Sequence, residues 1–329
     1  MTQVPFFRNV VIQFDDQIYR SGYRLSFTVT KKLSGKNRNS ARIQIYNPDV
    51  KGVREAIGRK GRRFIQIRAG YGVTEPPIIF AGYAVPDGSI LNRNGPDNIL
   101  VVEAKGFGSG PSAKARPKAI TIEEALTAEN LLAAGEAAFG VAFTFVEPAL
   151  SVANVGTRTL TGKGWAFTGS FEDFVVAAGK KLGADFQVQK GRATFVPKRK
   201  TQGSTGQIFS ADNGRIIDSP SPRPKGKTRF KVLLSPDLEA GYRFLVEDDV
   251  FGGVYRAESV VHSGDVGFSN EYYTSIEARI APKVAKDGQA TLFDPMAPFE
   301  ALGRGIGRAA NFANEYLNNP AAGIFDLID

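Results

Sequence analysis

Apolar and polar residues alternate with a period of two through much of the stretch 26–105. Ile43 and Ile45 alternate with Arg42, Gln44 and Tyr46, and Ile65 and Ile67 alternate with Gln66 and Arg68. That spacing sets one group of side chains on a buried sheet face and the other toward water. Asn47-Pro48-Asp49 between them is turn chemistry, and Val53, Ala56 and Ile57 are spaced for one face of a short helix. A further apolar run covers 78–85, and Asn94-Gly95 marks a turn before a strand over 99–103. Upstream, 6–14 reads as a first strand and 15–29 as a hairpin around Ser21 and Gly22. Strands joined by turns, with no long crossover helix, predict a mostly antiparallel small barrel rather than a parallel α/β sheet.

The pattern changes after a Gly-, Pro- and Lys-rich stretch at 108–120, where a boundary is expected. A helix is predicted over 121–139, opened by a capping box from Thr121 to Glu124 and ended by Gly140. A strand over 141–146 follows. A second helix over 171–182, opened by Ser170 and closed by Gly183, carries Phe171, Phe174, Val175, Ala178 and Leu182 on one face. A hairpin over 185–196 turns at Lys190-Gly191. The polar, basic and Pro-rich stretches 198–207 and 218–228 read as linkers. Strands over 230–235, 242–247, 253–263 and 271–280 then form a second β unit. In the tail, Phe299, Leu302, Ile306, Ala310, Ala313 and Leu317 fall at helical spacing. Gly303, Gly305 and Gly307 weaken that helix by roughly 1 kcal/mol each relative to Ala, so it should form only by docking. Beyond Pro320, Ile324, Phe325, Leu327 and Ile328 are suited to pack on the chain's own fold or to form an arm reaching a partner subunit. The fold class is therefore α+β and mainly β: β units at 1–108 and 201–282, an α+β insert at 109–200, and a tail with an amphipathic helix at 283–329.

The order "S–x–R–I–x–I–Y–N", a short helix, "I–x–I–x–A–G–Y" and "I–F–x–G" resembles the N-terminal barrel of bacteriophage tail baseplate hub proteins. Late in the chain, "GVYRAESVVHSGD", a polar turn and "YYTSIEARI" is similar to the closing hairpin of that family. The resemblance covers roughly 10–280. It implies two tail-tube-like barrels per chain in a homotrimer, which joins the tail tube or a distal tail protein to a central spike. It also implies a channel for the tape-measure protein and for the transient passage of DNA. The implied location is the virion, in a tail baseplate assembled in the host cytoplasm.

Composition narrows the alternatives. The chain has 329 residues, 36 Gly and 18 Pro, no cysteine and one histidine. Disulfides, thiolate chemistry and multi-histidine metal sites are thereby excluded, and neither cofactor nor metal is expected. The start, "MTQVPFFRNV", lacks the pattern of a signal peptide, and no long apolar run predicts a membrane-spanning helix. A formal charge of +9 is concentrated early, with Arg59, Lys60, Arg62 and Arg63 at its centre. That run suits a solvated face, or contact with an acidic partner or a passing phosphate backbone. No base-reading motif accompanies it. The stretch "PKGKT" at 224–228 lacks the first glycine of a phosphate-binding loop, because Ser221 stands there. His262 and Ser263 are neighbours on a predicted strand and point to opposite faces, so they cannot form a nucleophile–base pair. The carboxylate pairs Glu123/Glu124, Glu172/Asp173, Asp15/Asp16 and Asp248/Asp249 sit where helix starts and turns explain them. Trp165 reads as a core or interface anchor. The partner-contact candidates are thus Arg59, Lys60, Arg62 and Arg63 in the basic run and Phe299, Leu302, Ile306 and Phe325 in the tail. A peptidoglycan hydrolase and a basic nucleic-acid-binding protein are the competing readings.

Overall fold

The computed structural model describes residues 7–20, 22–33, 39–49, 63–72, 75–106, 117–146, 163–189, 192–198, 201–213, 215–267 and 269–281. The short helix expected near 53–57 and the whole tail lie outside them. Seven strands come first: β1 (Arg8–Phe14), β2 (Gln17–Arg20), β3 (Leu25–Lys32), β4 (Asn39–Tyr46), β5 (Phe64–Tyr71), β6 (Ile78–Asn94) and β7 (Asp97–Gly106). The middle of the chain gives β8 (Lys118–Ala125), α1 (Ala128–Phe139), β9 (Ala142–Phe145), β10 (Lys163–Gly169), α2 (Phe171–Leu182), β11 (Ala184–Gln189) and β12 (Arg192–Pro197). Six strands close the described chain: β13 (Gly203–Ser210), β14 (Ile216–Arg223), β15 (Lys227–Leu233), β16 (Tyr242–Glu247), β17 (Gly253–Val266) and β18 (Tyr272–Ile280).

Both sets of strands belong to one 13-stranded sheet, in the order β14-β15-β18-β17-β3-β4-β7-β6-β5-β1-β2, with β16 also on β17 and β13 on β16. The expectation of two closed barrels is corrected here: among the described residues no ring of paired strands closes. The two β regions merge because β3 pairs with β17 through eight registered positions, Leu25↔Val266 to Lys32↔Ser259. Alternation supplies the reason. Leu25, Phe27 and Val29 are buried, as are Val260 and His262 opposite Lys31 and Val29, so the two strands share one buried face.

Local sequence accounts for the other departures. The early hairpin joins β1 to β2, with Asp15 at φ 50; near Gly22 the chain turns again, the Tyr23 N–H donating to the Arg20 carbonyl at 2.9 Å, but β2 and β3 do not pair across it. Residues 121–125 are not helical. Ile120 and Ile122 are buried on β8, which pairs with β10, and the period of two prevails over the capping pattern. Helix α1 instead starts after Thr127, whose hydroxyl accepts the Asn130 N–H at 3.1 Å. Gly135 lets α1 approach α2, since a Cβ there would stand 2.4 Å from the Phe174 ring. Helix α2 matches its predicted span, with a capping box between Ser170 and Asp173 and Gly183 at φ 61. The stretches expected as linkers contain β13 and the β14–β15 hairpin, which turns at Lys225 (φ 64) and Gly226 (φ 65). β13 pairs parallel with β16, and β12 with β9. Three buried clusters result: one of β1–β7 side chains with Leu234 and Tyr272, one between the helices and the small sheets, and one around Phe209, Phe230 and Phe244.

Candidate assembly interface

The long sheet curls back on itself, and a tyrosine marks where it meets. Tyr272 on β18 and Gly70 on β5 are six strands apart along the sheet, about 29 Å if it were flat. Yet the Tyr272 hydroxyl accepts the Gly70 N–H at 2.9 Å and lies 2.8 Å from the Gly70 carbonyl and 3.0 Å from that of Asn9. The Tyr71 hydroxyl donates to the Tyr272 carbonyl at 3.1 Å, and the two rings meet edge to face at 5.1 Å. Arg8 stands over the Tyr272 ring and donates to the Ser269 carbonyl at 2.7 Å. Burial raises the Tyr272 hydroxyl's pKa above its ordinary value, keeping it neutral as a donor.

A second polar group lies inside the β3–β17 seam. Lys31 is 4% exposed and its Nζ sits 2.5 Å from Glu239 Oε1. His262 is fully buried, with Nδ1 2.9 Å from Thr274 Oγ1, which also accepts the Ser235 N–H at 2.9 Å. Burial pushes the His262 pKa well below its ordinary value; the Lys31 ammonium adds to this and the Leu238 backbone opposes it weakly. A neutral, enclosed imidazole beside Ser263, which pairs with Tyr273 rather than facing His262, has no route to substrate. This group holds the seam.

The insert is fastened to the main sheet by charge. Arg243, Arg256 and Arg279 lie directly opposite one another across β16, β17 and β18. Like charges at such positions repel. Each has a polar partner: Thr201 for Arg243, Asp185 of the insert for Arg256, and Glu258 for Arg279. Arg256 is 4% exposed beneath the insert, and Asn39 donates to the Val188 carbonyl at 2.6 Å nearby.

The sequence candidates fare unevenly. Arg59, Lys60, Arg62, Phe299, Leu302, Ile306 and Phe325 lie outside the described residues. Arg63 is 4% exposed, with its guanidinium 5.0 Å from the Phe14 ring centre and Nε 3.7 Å from Asp15. The basic run is therefore not one uniformly exposed face. Trp165 stacks on Phe167 and packs against Phe174, as an anchor of the insert core. Asp15 and Asp248 accept backbone N–H groups of Phe64 and of Val250 and Phe251, and Asp173 closes its capping box. Glu123 lies exposed on β8 rather than in a first helical turn. Among the described residues no cluster of three metal-binding side chains occurs, and no helix is long and apolar enough to cross a membrane. Reasoning from sequence missed Lys31 and Tyr272. The inward alternation Leu25, Phe27, Val29 runs on to Lys31, which was the signal for a buried lysine.

No family model matches the sequence, and a search of curated proteins finds no match. Solved structures do match in fold. The chain is similar to the 43 kDa tail protein of prophage MuSo2 from Shewanella oneidensis, with TM-score 0.55 and 9% identity over 84% of this chain and 98% of that one. It is similar to a tail protein from Neisseria meningitidis, with TM-score 0.56 and 9% identity over 83% and 96%. A type VI secretion system component from E. coli, itself structurally similar to T4 bacteriophage tail proteins, matches with TM-score 0.51 and 12% identity over 86% and 80%. Tail proteins and a type VI secretion system component are thus among this chain's structural neighbours.

Proposed function

We propose that the chain is a structural, non-catalytic component of a phage tail baseplate: a homotrimeric hub that joins the tail tube to a central spike. Its channel would pass the tape-measure protein and then DNA. The observation that carries this reading is the fold match over more than four fifths of the chain to two tail proteins that are themselves covered almost completely. Supporting it, the β regions at either end of the described chain unite in one curled sheet, and the α+β insert is an appendage fastened at its side. Each β region would act as one tube-like unit, so that three chains present six. Arg59, Lys60 and Arg62 would face the lumen or the neighbouring tube protein. No observation favours the hydrolase: Asp15 and Asp248 hold backbone turns, Asp173 closes a helix cap, and Asp16, Glu123 and Asp249 stand exposed.

Light scattering after size-exclusion chromatography, at low and high salt, tests the assembly. A trimer that survives high salt is expected, held by an interface of roughly 2,000 Å² or more. A monomer at both salts, with no association on adding the spike protein, would overturn the reading.

A further inference from the structure

Ile90 and Leu91 are 54% and 36% exposed, and they are the only adjacent pair of exposed large apolar residues among the described residues. Adjacent residues on a strand point to opposite faces, so both faces of β6 are bare at this point. The first part of β6 pairs with β5 as far as Tyr83, and the strand's second part pairs only with β7. Residues 89–93 therefore present an edge with no strand beside it among the described residues. Two other margins of the sheet are guarded. β14, at one end of the sheet, carries Pro220 and Pro222, which lack the N–H groups a further strand would need. β2, at the other end, is four residues long. An unguarded edge with apolar residues on both faces is a template for an added strand.

We propose that this edge receives the C-terminal stretch 323–329 of a neighbouring copy of the chain, added as a strand to β6. The proposal rests on the homo-oligomer reading above. The stretch Ile324-Phe325-Asp326-Leu327-Ile328 contains two adjacent apolar pairs. Extended, it shows apolar side chains on both faces, as the bare edge requires, and Asp326 complements the exposed Arg93. The forty-odd residues between Ala281 and this stretch would span roughly 35 Å as coil, a reach suited to a neighbouring subunit.

The chain contains no cysteine, so engineered thiols report without background. The full-length variant Asn92→Cys with Leu327→Cys, treated with a short thiol-to-thiol cross-linker, should give covalent dimers and trimers on a denaturing gel. Adding Ile90→Lys and Leu91→Lys should reduce those products to the level of a control pair, Thr144→Cys with Leu327→Cys. Light scattering on the same samples separates the two ideas. A trimer that gives no Asn92–Leu327 product above control, or only an intrachain one, overturns the docking proposal and leaves the hub reading standing. A monomer at both salts that gives no interchain product and does not associate on adding the spike protein overturns both.

Discussion

Tyr272 joins strands that the sheet order sets far apart, so its hydroxyl is the most direct probe of the curl. Tyr272→Phe keeps the ring and its edge-to-face contacts but leaves the buried Gly70 N–H without its acceptor. A loss of about 1–3 kcal/mol is expected, read as a lower urea midpoint at unchanged slope. An unchanged midpoint would show that the curl does not depend on this bond. His262 supplies a second test. Its folded pKa is depressed below the ordinary 6.5, so the unfolded chain takes up a proton that the folded chain refuses. Stability should be flat above that value and fall with decreasing pH below it, by up to about 1.4 kcal/mol per pH unit. Between pH 6.5 and 5, His262→Gln should flatten that slope, whatever it does to the absolute midpoint. At this scale the sequence was partly legible. That His262 could not serve a triad followed from strand geometry; the inward place of Lys31 was present in the alternation but was missed. Its partner Glu239, 208 positions away, was not legible, because no local pattern encodes a long-range ion pair.

Among elements, the clearest contest is between two possible starts for α1. The structure caps the helix at Thr127, so Thr127→Ala should cost about 1 kcal/mol, while Thr121→Ala, on exposed strand, should change thermal stability little. The reverse ranking would restore the longer helix. Both signals were present in the sequence. A capping box is a four-residue pattern that also arises in strands, and pairing with β10 decided the outcome. The second helix was fully legible because its cap, apolar face and terminal glycine agree. β13 and β14 were not, because their prolines and polar residues suit strands at a sheet margin as well as linkers. Docking of the insert offers another test. Asp185→Ala leaves Arg256 buried between two other arginines, which should weaken docking by about 3–5 kcal/mol. Hydrogen exchange should then rise where β11 faces the main sheet, while β1–β7 keep their protection. Replacing both Asp185 and Arg256 with Leu should recover most of the loss.

For the whole molecule, the mostly antiparallel pairing and the return to strands after the two helices were legible. The fusion into one sheet was not, since it depends on which distant edges meet. The burial of Arg63 also sharpens the test of the basic run. Reversing Arg59, Lys60 and Arg62 to Glu should impair particle assembly or DNA delivery while the purified protein melts as before. Reversing Arg63 should destabilise the fold itself. Unchanged infectivity of the triple variant would remove the lumen assignment. The β3–β17 seam bears on how the protein is made. While the chain leaves the ribosome, β3 can pair with β4 at once, but Lys32 must wait for Ser259, more than two hundred residues later. At ordinary rates of translation that interval is on the order of ten to forty seconds. Throughout it, a strand carrying Leu25, Phe27 and Val29 has one naked side within reach of other nascent chains. Slow codons or a missing chaperone should therefore harm this protein most while its middle third is being synthesised.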